Sequence, residues 1–166
     1  MVKITWHSGE VPESMKVKQV YGLLFTRDGR FLVRIENTPK GKFYTLAGGT
    51  PEKFDKDREA TLRRELIEEV NTTIERPVLV GYQEIDLEDG KPNFAQVRMV
   101  AVIDKIGEKL PDPDNGEIYD RLLTPYQKAI ELIGWGDVLK SQVEEAAKIA
   151  HEELGVEFLN QEDEYV

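Results

Sequence analysis

One segment, residues 58–70, constrains the fold of this chain more than any other. Its apolar residues Leu62, Leu66 and Val70 recur at every fourth position, and on a helix that advances ~100° per residue they share one face. A helix with a single apolar face is stable when that face packs on another layer. Apolar, β-favouring runs precede and follow the segment, so the sequence predicts a helix packed on a β-sheet.

A second face of the same predicted helix is acidic. Glu68 and Glu69 follow Glu65 at spacings of three and four residues. Crowded like charges cost a helix about 0.2–0.5 kcal/mol per pair, whereas a divalent cation bound between them would reverse the sign of that effect. Mg²⁺ prefers oxygen ligands and is often shared between carboxylates and substrate phosphates. Glu-Glu pairs are usually solvated helix faces, but the full pattern Arg-Glu-Leu-Ile-Glu-Glu over residues 64–69 seldom arises from composition alone.

The sequence on either side of this helix predicts β-strands. Two apolar runs flank Asp28-Gly29, a dipeptide typical of β-hairpins. Residues 44–47 are predicted as a strand that runs into a tight turn at Gly48-Gly49. Residues 76–86 and 94–106 are predicted as two further strands.

The C-terminal part of the sequence adds helices. Thr124 is predicted as a helix N-cap, with Pro125 at the first helical position and Gly134 at the end. A last helix is predicted to start at Asp137 and to end before Gly155. Strands and helices therefore mix without the strict alternation of a doubly wound parallel sheet. This order favours an α/β sandwich with a mixed β-sheet.

Length and composition restrict the classes of function. A chain of 166 residues, 40% of them hydrophobic, has room for one well-buried core, so we expect a single domain over residues 1–166. The formal charge of −10 argues against a nucleic-acid polymer or an anionic membrane as the main partner. The absence of cysteine excludes cysteine nucleophiles and cysteine-bound metals. We find no signal-peptide or membrane-spanning pattern, and we therefore expect a cytoplasmic protein.

The segment around the acidic face resembles the signature of the Nudix (MutT-type) hydrolase family. That signature is Gly, five residues, Glu, seven residues, then Arg-Glu-aliphatic-any-Glu-Glu-any-Gly-aliphatic, and the matching residues here are Gly48-Gly49, Glu52 and residues 64–69. The resemblance implies the Nudix α/β/α sandwich with a mixed β-sheet. It also implies hydrolysis of a pyrophosphate bond in a nucleoside diphosphate linked to another group.

The chain departs from this signature in its loop and at its end. Asp55 stands at the position of the first glutamate, and eight residues rather than seven separate it from Arg64. Phe54 and Asn71 each replace a glycine, and Ala47 replaces a common proline. Asparagine tolerates the left-handed conformation better than most residues, so Asn71 in place of glycine should disturb the backbone little. The departures affect the expected loop geometry more than the expected metal site.

By position, the resemblance implies that Glu65 and Glu69 are the main ligands of Mg²⁺, with Mn²⁺ as an alternative. Glu68 is implied as a further ligand or as a hydrogen-bonding neighbour, and Glu65 and Glu68 are candidate catalytic residues. The implied reaction is attack of a metal-activated water on a phosphorus of the pyrophosphate.

Five other residues are implied to support the site. Arg64 is expected to pair with Asp55 or with Glu52 and so to hold the loop against the helix. Gly48 and Gly49 are expected to shape the approach of the strand to the helix.

The identity of the general base is open, because in Nudix enzymes this residue lies either on the helix or on a downstream loop. Glu117 is our candidate for the loop position, since it follows residues 107–116, a stretch rich in proline, aspartate and glycine that we interpret as a mobile loop. An exposed loop carboxylate without a catalytic role is an equally good interpretation. Glu84, Glu88 and Asp114 are rivals that the sequence does not separate.

Several aromatic residues and both histidines are weaker candidates. Trp6, Tyr21 and Trp135 could stack on a nucleobase, although large aromatic residues are more often part of a core. His7 and His151 lack a companion at ligand spacing, and we predict that neither is catalytic.

Three functions remain open at this point. The leading hypothesis is a metal-dependent pyrophosphohydrolase that acts on a small nucleotide-like molecule. The second is a non-catalytic Nudix-like domain that senses a nucleotide or sugar nucleotide, and the third is a scaffold that binds neither metal nor nucleotide. A homodimer is expected only by analogy with relatives.

Overall fold

Nine strands and three helices build the fold, and a computed structural model describes them over residues 1–166. The strands are β1 (Lys3–Ser8), β2 (Lys16–Phe25), β3 (Arg30–Thr38), β4 (Gly41–Thr45), β5 (Ala47–Gly49), β6 (Thr72–Asp86), β7 (Phe94–Ile106), β8 (Asp120–Pro125) and β9 (Glu164–Tyr165). The helices are α1 (Arg58–Val70), α2 (Tyr126–Ile133) and α3 (Asp137–Leu154).

All strands belong to one open, mixed sheet. The order is β1-β6-β7-β2-β3-β8-β9, with β4 paired to β3 and β5 paired to β2. The β2–β7 pair is parallel, and every other pair is antiparallel. None of the three helices combines the length and the apolar character that crossing a bilayer requires.

Helices cover both faces of the sheet. On one face, Leu62 and Leu66 of α1 are buried in the same core as Leu24 of β2. On the opposite face, Val143 of α3 is buried in a second core that contains Leu23. Consecutive residues of a strand point to opposite faces, so β2 supplies both cores, and its second half, residues 20–25, carries no charged side chain. The predicted α/β/α sandwich with a mixed sheet is confirmed.

Local signals fix both ends of α1, whose predicted bounds are confirmed. The side chain of Asp57 caps the start by accepting a hydrogen bond from the Ala60 N–H at 2.9 Å. Asn71 closes the end in the left-handed conformation, with φ of 44°, and its N–H donates to the Ile67 carbonyl. Asparagine therefore performs here the task for which the Nudix signature uses glycine.

Two local predictions are wrong. Gly48 and Gly49 form no tight turn but lie in β5, where Gly48 pairs with Tyr21 of β2. Thr124 is no N-cap; it lies in β8, its hydroxyl donates to Asp163 at 2.7 Å, and α2 begins only at Tyr126. In both places strand pairing overrides a residue type that favours a turn or a cap.

The strand predicted over residues 44–47 is divided between the end of β4 and the start of β5, and Leu46 belongs to neither. The remaining predicted strands and helices differ only at their ends. The strand predicted over residues 76–86 begins earlier, at Thr72, directly after the cap of α1. The strand predicted over residues 94–106 and the helix predicted to start at Asp137 are confirmed.

Candidate active site

The acidic face of α1 is not a solvated helix face. Glu65 is 7% exposed and Glu69 is 8% exposed, and both lie against β5. Glu68 is partly buried, with 22% of its side chain exposed. Isolated buried carboxylates are costly unless they are hydrogen-bonded or paired, so the partners of these three groups define the site.

Glu69 is held from two sides. It accepts a hydrogen bond from the Gly48 N–H at 2.8 Å, and it forms an ion pair with Arg34 of β3. Burial nevertheless raises the pKa of Glu69 to about 7, because desolvation of the carboxylate outweighs these two contacts. A cation close to this group would favour its ionised form.

Glu65 fills the space that Gly49 leaves open. A Cβ atom on Gly49 would lie 2.4 Å from the carboxylate carbon and from Oε1 of Glu65. Burial raises the pKa of Glu65, and Arg64 opposes that shift with a hydrogen bond from Nη1 to Oε1 at 3.2 Å. The glycine at this position is therefore what lets a carboxylate of α1 approach β5.

Gly48 is required for a different reason. Its φ is +151°, and a Cβ atom there would lie 2.2 Å from the main-chain oxygen of Val20. The obstacle at Gly48 is backbone, whereas the obstacle at Gly49 is the end of a side chain. The two glycines can therefore be separated by experiment.

We expect Gly49→Ala to lower any catalytic activity of this site by about 10- to 100-fold with a stability change below about 1 kcal/mol, because the Glu65 carboxylate can rotate away from the methyl group. Gly48→Ala is the matched control, and we expect it to destabilise the fold by about 2 kcal/mol or more, because backbone cannot move aside. Urea unfolding and steady-state kinetics separate the two results. Full activity of folded Gly49→Ala would contradict the role of Glu65.

Glu68 meets two aspartates from the loop between β7 and β8. Carboxylate oxygens of Glu68, Asp112 and Asp114, one from each residue, all lie within 4.8 Å of one another. Burial raises the pKa of Glu68, and the nearby charges of Asp114 and Asp112 raise it further against the opposing effect of Arg64. We call Glu68, Asp112 and Asp114 the acidic triad.

Three hydrogen bonds within the loop shape the segment that carries the two aspartates. The Asp112 N–H donates to the Glu117 carbonyl at 2.8 Å, and the Gly116 N–H donates to the Asp112 carbonyl at 2.7 Å. The Asp114 N–H donates to Oδ1 of Asp112 at 2.9 Å. Asp112 is only 5% exposed, so the loop turns its first aspartate inward.

Arg64 connects the helix to the preceding loop. Its Nε and Nη2 donate to the two carboxylate oxygens of Asp55 at 3.0 and 2.9 Å, and Nη2 also donates to the Thr50 carbonyl at 2.9 Å. Its Nη1 donates to Glu65 and Glu68, each at 3.2 Å. One guanidinium group thus fixes both the loop and two of the acids.

The whole site carries an excess of negative charge. Two cationic side chains, Arg34 and Arg64, are paired with its acids. Besides Asp55, which pairs with Arg64, five carboxylates lie around them, namely Glu65, Glu68, Glu69, Asp112 and Asp114. Oxygen donors in excess of nearby positive charge fit a hard divalent cation such as Mg²⁺.

The sequence comparison decides the family. The NUDIX domain family matches residues 15–137, which is more than half of the chain and includes the helix, β5 and the loop of the acidic triad. The chain belongs to the Nudix family. No curated protein matches this Nudix sequence at a significant level.

Solved structures agree on the fold. A MutT chain from a structural study of the Aliivibrio salmonicida and Vibrio cholerae proteins matches with a TM-score of 0.58 at 17% identity, over 80% of this chain and 98% of that one. The Bacillus subtilis pyrophosphohydrolase BsRppH gives 0.65 at 16% identity, over 87% and 90% of the two chains. The NUDIX domain of Shewanella oneidensis NrtR, complexed with ADP ribose, gives 0.59 at 18% identity, over 81% and 88%.

The departures from the Nudix signature compensate for one another. Asp55 has one methylene fewer than the glutamate of the signature, but the loop between it and Arg64 is one residue longer. The fork of Arg64 still reaches both oxygens of Asp55. Of the two partners that the sequence left open, the carboxylate of Asp55 takes this contact, and Glu52 contributes its N–H to Asp55 at 2.9 Å.

Glu117 does not join the acidic triad. It is exposed, its N–H donates to Asn115, and its carbonyl accepts from Asp112. Its role as general base stays a prediction that no contact of its carboxylate supports. Of its rivals, Asp114 lies in the acidic triad, whereas Glu84 bonds to His7 and Asn93, and Glu88 lies near the amino terminus.

Arg34 and Asp112 are the residues of the Nudix site that the sequence did not single out. Arg34 pairs with Glu69, and its guanidinium lies 4.4 Å from the centre of the Tyr119 ring. Nothing in the spacing around Arg34 indicates this role. For Asp112, the alternation of proline and aspartate over residues 111–114 was the available signal.

The aromatic residues and histidines that the sequence singled out all lie outside the acidic triad. Tyr21 and Trp135 line one cavity. Trp6 packs against the core and donates from Nε1 to Glu145 at 3.3 Å. His7 bonds to Glu84, and His151 bonds to the Val156 carbonyl, so neither histidine reaches the acidic triad.

Proposed function

We propose that this Nudix protein hydrolyses a pyrophosphate bond in a small nucleotide-like substrate, with Mg²⁺ or Mn²⁺ as the cofactor. The observation that carries the proposal is the acidic triad, which lies beside two further buried carboxylates, Glu65 and Glu69. Structural stability gives no reason to gather these five acids, in addition to Asp55, around two arginines.

The acidic triad together with Glu65 and Glu69 would hold the metal. A bound divalent cation lowers the pKa of water and neutralises charge on phosphate oxygens. Of the three α1 carboxylates at the site, Glu68 has the most solvent access, so it is suited to accept a proton from water. Arg64 holds Glu68 and Glu65 in place, and Arg34 does the same for Glu69.

A hydrolysis assay over a panel of compounds tests this function. The panel contains nucleoside triphosphates, ADP-ribose, sugar nucleotides and dinucleoside polyphosphates, each assayed with Mg²⁺, with Mn²⁺ and with chelator. We expect turnover of one class that chelator abolishes and that Glu69→Gln lowers about 100-fold or more, as loss of a metal-site carboxylate should. Turnover that persists in chelator would contradict the proposal.

A nucleotide sensor is the second candidate. It is supported by the similarity in fold to the NrtR NUDIX domain, which was solved with ADP ribose. A sensor would bind one member of the panel saturably, without turnover, and Glu69→Gln would leave that binding unchanged. A single domain, a cytoplasmic location and a homodimer stay predictions from the sequence and the family.

A further inference from the structure

A cavity of about 510 Å³ lies between the sheet and the start of α3, separate from the acidic triad. Tyr21 and Trp135 contribute aromatic rings to its wall. The polar side chains of the wall are Thr45, Gln83, Gln96 and Arg98. The cavity is close to the site across β2, because Tyr21 pairs with the same glycine whose N–H bonds to Glu69. A substrate held at the acidic triad could therefore extend into it.

Arg98 is the unusual feature of this wall. The residue is 1% exposed and its side chain forms no ion pair; the one hydrogen bond of the side chain runs from Nε to Oε1 of Gln142 at 2.8 Å. Nη1 is buried without a partner, and the guanidinium lies 5.0 Å from the centre of the Tyr21 ring. A buried cation with a free donor is costly for folding, and a ligand that accepts hydrogen bonds would offset that cost.

Arg98 also sets the orientation of a chain of amides. Arginine has no acceptor, so the carbonyl oxygen of Gln142 must face it. Gln142 then donates from Nε2 to Gln83 at 2.7 Å, Gln83 donates to Gln96 at 3.0 Å, and Gln96 donates to Gln19 at 3.0 Å. Each amide orientation follows from the one before it. The cavity wall therefore has a fixed pattern of donors and acceptors that begins at the guanidinium.

We propose that this cavity binds a 6-oxopurine base, the class of guanine and hypoxanthine, with Arg98 donating to its carbonyl edge. A guanidinium fork matches the adjacent O6 and N7 acceptors of such a base, whereas adenine presents an amino donor at the same edge. The rings of Tyr21 and Trp135 suit a flat ligand, and the apolar part of the wall is unsuited to a hydrated phosphate. The inference rests on the proposed function, because the base would belong to the hydrolysed substrate.

Nucleosides test this inference without any hydrolysis. We would titrate ¹⁵N-labelled protein with guanosine, inosine, adenosine and cytidine, and follow the indole signal of Trp135 and the Nε signal of Arg98 by NMR. We expect guanosine and inosine to shift both signals and to bind about tenfold or more tightly than adenosine, the discrimination that one bidentate contact gives. Adenosine that binds as tightly as guanosine would overturn the proposal.

Two variants of Arg98 test whether this residue causes the preference for guanosine over adenosine. Arg98→Met removes the donors, and Arg98→Lys keeps the charge but loses the planar fork, so both should abolish the preference for guanosine. Arg27→Met is the control, since Arg27 is exposed and pairs with Glu75 far from the cavity wall. A preference that survives in both Arg98 variants would overturn the proposal, as would inorganic phosphate that shifts the same signals when guanosine does not.

The same measurement distinguishes this inference from the proposed function. Guanosine binding with no turnover of any panel member would contradict the hydrolase and would still support the base assignment. Metal-dependent turnover of adenine and guanine nucleotides at equal kcat/KM would support the hydrolase and overturn the base assignment.

Discussion

Glu68→Gln is expected to lower kcat/KM for hydrolysis by about 10²- to 10⁴-fold. Losses of this size are typical when an enzyme loses its general base or a carboxylate that binds the catalytic metal. Glu68 is the one residue of α1 that belongs to the acidic triad. Glutamine keeps the length of the side chain and is a good helix former, so the helix should persist. The change removes one negative charge and replaces one carboxylate oxygen by an amide NH₂ at the point where α1 meets the loop.

The control for this variant lies on the same helix. Glu59 is in the first turn of α1, is exposed and pairs with Arg63, so Glu59→Gln should leave kcat/KM within about twofold, as expected for a surface pair. Circular dichroism and urea unfolding establish that both variants fold. If Glu68→Gln retained more than a tenth of the activity, the catalytic role would pass to Glu65.

Asp55→Asn is expected to lower the free energy of unfolding by about 2–4 kcal/mol, because it breaks a buried charge pair while leaving the other charge in place. Asp55 is 5% exposed at its side chain and accepts from both arms of the Arg64 fork, from the Glu52 N–H and from the Thr61 hydroxyl. In asparagine one carboxylate oxygen becomes an NH₂ group, and this group would face one of these N–H or O–H donors without accepting a hydrogen bond from it. Urea unfolding at neutral pH measures the loss.

Asp57→Asn is the matched control, with the same chemical change two residues further along. Asp57 caps α1 through the Ala60 N–H, and asparagine caps a helix about as well as aspartate. We therefore expect its loss of stability to stay below about 0.5 kcal/mol. Equal losses in both variants would show that the Arg64 contact adds nothing beyond the general effect of removing a charge from this loop.

The pKa of Asp55 fixes how the difference in unfolding free energy between wild type and Asp55→Asn changes with pH. Hydrogen bonds from Arg64, opposed by burial, hold the pKa of Asp55 well below its usual range. A lowered pKa stabilises the fold above the pKa of the unfolded state, about 3.9, and this contribution is lost as the pH falls further. The stability difference between wild type and Asp55→Asn should therefore be constant near neutral pH and should narrow below about pH 4. A difference that widens in acid would contradict the assignment.

The sequence by itself determined the parts of this protein that depend on short spacings. The bounds of α1, its apolar face and its acidic face follow from residues three and four apart, since helical neighbours are set by the chain itself. The Nudix signature lies in the same short stretch, so the family could be identified despite the altered loop. Asn71 at the helix end was likewise interpretable, because its left-handed conformation is a local property.

Only the tertiary structure decided what approaches this helix from elsewhere in the chain. Asp112 and Asp114 meet Glu68, Arg34 meets Glu69, and Arg98 meets Gln142 across 44 residues. No local period encodes such contacts, because they depend on how the strands pair and on which face of the sheet each side chain points to. For the same reason the predicted cap at Thr124 and the predicted turn at Gly48-Gly49 were wrong: pairing with neighbouring strands determined the conformation there.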